Sequence, residues 1–239
     1  MNRTKNFEYP IFIRVIDFDK ELNDIIESLN RLEYYGLKAT CLKRGENVVP
    51  TDDDRMCLFI ASHPSEELAS IAKIFHDANV LTIGIFTENN IFGDGLTDSY
   101  TVVNADKVLM TVRSLIDPIF MPSIISVALS DIRNVLVDSN HFAIASGIGE
   151  GENRMTDVLN RATKGFSDQQ LMSTDRLAII LFFKPDSTMP LTMKEASEFQ
   201  KFITRLPDST ETMVWGVSHD NSLHDNEIRI SIIAAGVTP

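Results

Sequence analysis

The sequence predicts an α/β protein in two parts: a short Rossmann-like parallel-sheet N-terminal domain, a long central helix, and an α+β C-terminal domain with a mixed sheet. Three observations predict it. In the first half, short continuous apolar runs alternate with helical patterns, as expected of strands covered on both faces. In the middle, apolar residues recur at helical spacing from Ala105 to about Phe120. In the second half the rhythm becomes β-α-β-α-β-β. The boundary is expected between Phe120 and Asn140, giving domains 1–121, with the central helix at about 105–120, and 122–239.

Each element has its own reason. Ile11 to Ile16 is a short β-rich run. Leu22, Ile25, Ile26, Leu29 and Leu32 share one helix face, and Gly36 is expected to cap that helix. Leu37 to Leu42, Met56 to Ala61 and Val80 to Phe86 are the next strands, with a helix between the last two that is expected to turn Leu68, Ile71, Ala72, Phe75 and Ala78 inward. Glu88 to Asp98 reads as a polar loop and Tyr100 to Val103 as a fifth strand. The central helix carries Val108, Leu109, Val112, Leu115 and Ile116, and Pro118 and Pro122 are expected to disturb its end. Strand His141 to Ser146, ending at Gly147, precedes a helix from Glu152 to Phe166; strand Arg176 to Lys184 precedes a helix from Thr192 to Leu206; Glu211 to Ser218 and Glu227 to Ala235 close the chain as strands.

Composition excludes some functions. A formal net charge of −12 argues against nucleic acid, where a basic face supplies most of the affinity, and against anionic membrane surfaces. No apolar run approaches the roughly 20 residues of a membrane span. No secretory leader is read at the N-terminus, and a cytoplasmic location is expected. Cys41 and Cys57 sit in strand-like segments and are expected as buried free thiols. His63, His76, His141, His219 and His224 form no metal-ligand spacing, so no metal is expected.

Two segments carry a resemblance. Asp131-Ile132-Arg133, followed by Ala143 through Gly147-Ile148-Gly149-Glu150-Gly151-Glu152-Asn153-Arg154, resembles the start of the C-terminal domain of the bacterial cell-division FtsZ family, with its D-[VI]-R and G-x-G-x-[SG]-x-[ND]-R pattern. Ile228 to Gly236 (IRISIIAAG) is similar to that family's closing strand. In the first half, Val80 to Thr87 and Val103-Asn104-Ala105-Asp106-Lys107-Val108-Leu109 are similar to a family strand and to the P-N-D-K-L-L entry into its central helix. The resemblance implies an FtsZ/tubulin-like fold, with a family helix after Thr87 deleted.

In that family, GTP rests on two glycine-rich loops whose backbone N–H groups close on the phosphates. The first is replaced here by Asp17-Phe18-Asp19-Lys20-Glu21, which places carboxylates where phosphates would rest. Two like charges about 4 Å apart cost about 1 to 4 kcal/mol, depending on screening. The second, G-G-G-T-G-[ST]-G in the family, is replaced by Ser62-His63-Pro64-Ser65-Glu66-Glu67. Pro64 has no N–H, and Glu66 and Glu67 already complement the helix N-terminus. The family's acidic loop, N-x-D-x-x-D, corresponds to Ser126, Ala128 and Asp131, so one acid is lost. Asp131 is either a relic of the catalytic loop or a helix N-terminal carboxylate. Asp106 matches the guanine-facing aspartate of the family but reads equally as a helix-start residue.

The expectation from these residues is a pseudo-GTPase: not an enzyme, without a cofactor or metal, binding a protein partner (a genuine FtsZ or itself) and modulating filament assembly in cell division. The alternatives are a GTP-binding or GTP-hydrolysing FtsZ-like protein with a rebuilt site, and a structural or interaction domain unrelated to division.

Overall fold

The computed structural model describes residues 12–19, 22–42, 46–88, 95–166, 174–206 and 211–236. It divides into two compact units, the first comprising Met1–Val112 with Val137–Asn140, the second Arg113–Leu136 with His141–Pro239. Lys20 and Glu21, Ile11, and residues 89–94 of the polar loop, where the family helix is expected to be deleted, lie outside the described residues.

The first unit holds β1 (Phe12–Asp17), α1 (Asn23–Asn30), β2 (Leu37–Cys41), β3 (Asp54–Ala61), α2 (Glu66–Asp77), β4 (Leu81–Phe86) and β5 (Ser99–Val102). Its sheet is wholly parallel, in the order β2-β1-β3-β4-β5. The apolar runs of β3 and β4 are buried because helices must cover both faces of such a sheet. Phe59 of β3 meets Phe75 of α2 edge-on at 5.8 Å between centroids, beside Leu68 and Ala72. Ser65 starts α2 by accepting the Leu68 N–H at 3.1 Å.

Helix α1 ends at Asn30, earlier than Gly36. Gly36, at φ 92°, instead shapes the turn into β2, and its carbonyl accepts the Ile13 N–H at 2.8 Å. A single 3₁₀ turn, Ala105–Lys107, leads into α3 (Val108–Phe120). Pro118 does not end α3; it lacks one ladder donor, and the ladder resumes as Met121 N–H donates to the Asp117 carbonyl at 2.8 Å.

The second unit contains β6 (Ser123–Ile125), α4 (Leu129–Leu136), β7 (Asn140–Glu150), α5 (Arg154–Thr163), β8 (Arg176–Phe183), α6 (Met193–Ile203), β9 (Thr212–His219) and β10 (Glu227–Ala235). The order is β7-β10-β8-β9-β6, antiparallel except for the β8–β9 pair. β10 lies between β7 and β8 along its whole length, which is why its run of isoleucines and alanines is buried. The core gathers Val158 and Leu159 of α5, Phe199 of α6 and the facing residues of β8 and β10.

Two expectations are corrected here. β7 does not end at Gly147 but runs on to Glu150, so Gly147 and Gly149 are strand residues rather than a turn. They lack Cβ because α5 packs directly on them: a Cβ on Gly149 would stand 1.9 Å from the Arg154 carbonyl oxygen, and one on Gly147 would stand 3.2 Å from Arg161 Cβ. β6 is an added edge strand, too short and too lightly patterned to register as alternation.

Candidate functional site

In the first unit β1 leads through α1 to β2 on one side, while β3 lies on the other. Strand order therefore reverses between β1 and β3, and in open α/β sheets ligands bind outside the carboxyl ends of the strands at that point. The turns that follow β1 and β3 are the two segments singled out from the sequence.

Asp17, the last residue of β1, is fully buried. Its Oδ1 accepts the Asp19 backbone N–H at 3.1 Å, and its Oδ2 lies 3.7 Å from the Cys41 thiol. Asp19 is exposed and its carboxylate accepts the backbone N–H of Ser62, joining the two turns. Ser62 Oγ is 3.1 Å from His63 Nδ1. His63 is exposed, Pro64 half-buried, and Glu66 and Glu67 lie exposed in the first turn of α2. A backbone amide at the switch point is thus already bonded to an anion, supplied by the chain itself.

The remaining residues lie on other elements. Asp106 is exposed in the 3₁₀ turn before α3 and shares none of their hydrogen bonds. Asp131, in the first turn of α4 in the second unit, accepts the Ala128 N–H at 2.7 Å through Oδ2. Cys57 is buried in β3, and burial pushes its thiol well above its ordinary pKa; Cys41 is half-buried, with its sulfur 3.0 Å from Asn23 Oδ1. Among the described residues no cluster of His, Cys, Asp and Glu has the arrangement of a metal site.

The second unit holds two charge systems that sequence reasoning passed over. Arg154 Nε donates to Glu195 at 2.6 Å, and its Nη2 donates to the carbonyls of Met189 and Pro190. Glu195 also closes a capping box with Thr192 at the start of α6. The pair borders a cleft of about 310 Å³ with Asn153, Met189 and Lys194 on its walls. In the other system, Arg229 of β10 bonds to Asp117 of α3 at 2.8 Å and to Asp220 at 2.9 Å. Burial pulls the Asp117 carboxyl above its ordinary pKa despite Arg229 and Arg113. Burial also pulls on Asp220, but the Ser222 hydrogen bond and Arg229 outweigh it and hold Asp220 below the usual value. The available signals were the T-x-x-E capping box and a lone arginine within the apolar strand Ile228 to Ala235.

No family model matches the chain. Among curated proteins it is 26% identical over 135 residues to the cell division protein FtsZ of Caulobacter vibrioides, a match covering 56% of this chain and 26% of that protein. A match of 24% identity over 135 residues to FtsZ 1 of Pyrococcus woesei covers 36% of that protein, so the chain spans about a quarter to a third of the length of these relatives. Among solved structures it superposes on an empty FtsZ dimer from M. jannaschii with a TM-score of 0.74 at 17% identity, covering 96% of this chain and 89% of that one. The chain has an FtsZ/tubulin-like fold. GDP-form protofilaments of TubZ from Bacillus thuringiensis serovar israelensis share the fold with a TM-score of 0.63 at 8% identity, covering 96% and 85%.

These neighbours correct one expectation. The reading of this chain as a non-enzyme is overturned: the protein it resembles in sequence is FtsZ, those it resembles in fold are FtsZ and TubZ, the latter solved in a GDP form, and nothing sets the chain apart from them as inactive. Physically, a lack of glycine does not by itself strip a turn of its backbone donors. Every residue except proline keeps its backbone N–H, and glycine only eases close approach. Among the described residues no helix is long and apolar enough to cross a membrane.

Proposed function

We propose that the chain is an assembling FtsZ/tubulin-like protein of cell division, working in the cytoplasm and binding a second copy of itself or an FtsZ. One observation carries this reading: the fold, over 96% of the chain, is that of proteins solved as an FtsZ dimer and as TubZ protofilaments. The region 122–239 is the docking module in this proposal. The segment from β6 to the start of α4 is its contact edge, because Ile124 and Ile125 lie exposed there, at 65% and 37%, on a strand paired on one side with β9. Apolar side chains on an edge strand are unusual unless something covers them.

Sedimentation of the full chain, alone and mixed with an FtsZ, tests this. Mass should rise with concentration in one of the two mixtures, and Ile124→Asp should reduce it. A chain that stays monomeric alone and leaves FtsZ sedimentation unchanged refutes it.

A second reading is favoured by the position of the Asp17–Asp19 and Ser62–Glu67 turns at the reversal of strand order: a rebuilt guanine-nucleotide site. Asp19 then competes with phosphate for the Ser62 N–H. In a thermal-shift titration with GTP, GDP and Mg²⁺, a ligand at 100 times its dissociation constant stabilises by about 2.7 kcal/mol. Asp19→Gly, which frees the amide and removes a negative charge, should bind more tightly. No shift with either protein at millimolar nucleotide rejects the reading.

A further inference from the structure

We propose that Arg229 is a two-armed latch that makes the C-terminal half of α3 and the turn between β9 and β10 open as one unit, a property independent of the assembly reading. Its Nη2 donates to Asp117 Oδ2 at 2.8 Å and to Asp220 Oδ2 at 2.9 Å. Asp117 is on α3, and Asp220 begins the turn that returns to β10. Both carboxylates are buried, at 0% and 2% exposure, and Arg229 is buried at 8%. The guanidinium lies over the Phe182 ring of β8, 3.8 Å from its centroid, which fixes its plane and leaves the arms little freedom.

Each arm is anchored beyond Arg229. Arg113, one turn earlier on α3, reaches the same Asp117 Oδ2 at 3.1 Å. Asp220 folds its own turn: Oδ1 accepts the Ser222 N–H at 3.0 Å and the Ser222 hydroxyl at 2.5 Å, while the Asp220 N–H donates to the Phe183 carbonyl at 2.9 Å. The charged groups facing Arg229 are therefore Asp117 from α3, with Arg113 behind it, and Asp220 from the turn; β8 supplies only an aromatic face.

This geometry forbids cheap partial opening. If α3 lifts from Arg113 onward, Arg229 stays buried with one carboxylate. If the turn lifts, it stays buried with the other. Removing one partner from a buried, hydrogen-bonded charge is strongly unfavourable. Joint opening instead exposes all three charges to water. Segments that share such a penalty unfold as one cooperative unit.

Hydrogen exchange on the full chain tests the latch. In the wild type, amides at 113–120 and 220–227 should exchange with opening constants within about threefold of each other and respond in parallel to added urea. Asp117→Asn keeps the shape but turns the charge-assisted bond to Arg229 into a weaker neutral one, so α3 loses less when it lifts. Residues 113–120 should then exchange about tenfold faster while 220–227 change by less than about threefold. Asp220→Asn should do the reverse. Unrelated rates in the wild type, which need no variant to fold, overturn the proposal. So does an Asp117→Asn protein in which both segments accelerate together or neither changes.

Discussion

Replacing Glu195 by alanine should be among the most destabilising single changes on the second unit, for reasons that can be separated. Glu195 is 7% exposed and Arg154 2%, and their contact is 2.6 Å. Removing one partner of a buried ion pair costs about 3 to 5 kcal/mol. Arg154 keeps two carbonyl acceptors, Met189 and Pro190 at 2.9 and 3.2 Å, which places the loss near the bottom of that range. Glu195 also accepts the Thr192 N–H at 2.8 Å, and losing that half of the capping box adds about 1 kcal/mol. The expected total is about 4 kcal/mol, a large share of the 5–15 kcal/mol typical of a folded domain. Thr192→Ala loses the cap and keeps the pair, so it should cost about 1 kcal/mol.

Urea unfolding reads this directly. Trp215 is the sole tryptophan and meets Phe199 of α6 edge-on at 6.3 Å, so its emission reports whether α6 is docked. Acid supplies a second arm. Burial works to raise the Glu195 carboxyl, but the Arg154 hydrogen bond and the Thr192 contacts outweigh it and hold Glu195 below its ordinary pKa of 4.5. A depressed carboxylate stabilises the fold above its unfolded pKa, and that stability is lost as pH falls through the folded one. The gap between wild type and Glu195→Gln should therefore be full at pH 7, shrink as pH falls below 4.5 and close as pH passes below the depressed folded value. If Glu195→Ala costs no more than Thr192→Ala, the buried pair contributes nothing and the reasoning fails.

Gly149→Ala should cost about 3 kcal/mol or more, because backbone rather than a mobile side chain blocks the new methyl 1.9 Å away; a thermal melt within a few degrees of wild type would show that α5 is looser than described. Gly151→Ala meets open space but sits at φ 75°, so its cost should be about 1 kcal/mol in the same melt. Arg14→Met leaves Asp54 buried, with Thr51 as its remaining partner, and should cost about 3 kcal/mol in urea unfolding. If two copies carrying −12 each meet through the apolar edge at Ile124 and Ile125, salt should strengthen self-association by screening, as the Debye length falls from about 30 Å at 0.01 M to about 8 Å at 0.15 M. Weakening with salt, measured by sedimentation equilibrium, would point to charge-complementary faces instead.

The fold was legible wherever one period dominated. The buried runs of β3 and β4 and the stripe of α2 follow from burial on two faces and on one, and β10 spans the stretch its pattern marks, Glu227 to Ala235. Illegible parts were those where a contact distant in sequence decides a local conformation. Gly147 and Gly149 look like a turn until α5 is known to rest on them, and Gly36 looks like a helix cap until its carbonyl is known to serve Ile13. The β1 and β3 turns were singled out through the family resemblance, and the strand order places them at its reversal. The bond from Asp19 to Ser62 did not, because it joins residues 43 apart through a side chain whose rotamer no pattern encodes.

The same limit bears on the chemistry of the two turns. A count of glycines asks whether a loop permits close approach, whereas a phosphate site depends on where the amides point and what already occupies them. At the switch point Ser62 keeps its N–H and spends it on Asp19. Charge repulsion, counted from composition, made Asp19 an argument against anions; its hydrogen bond makes it a stand-in for one. An exposed carboxylate that occupies an amide is a competitor, and a competitor can be displaced by a ligand that offers more contacts. In the rebuilt-site proposal the acidic residues at these turns set how tightly a phosphate binds, and the Asp19→Gly titration tests that.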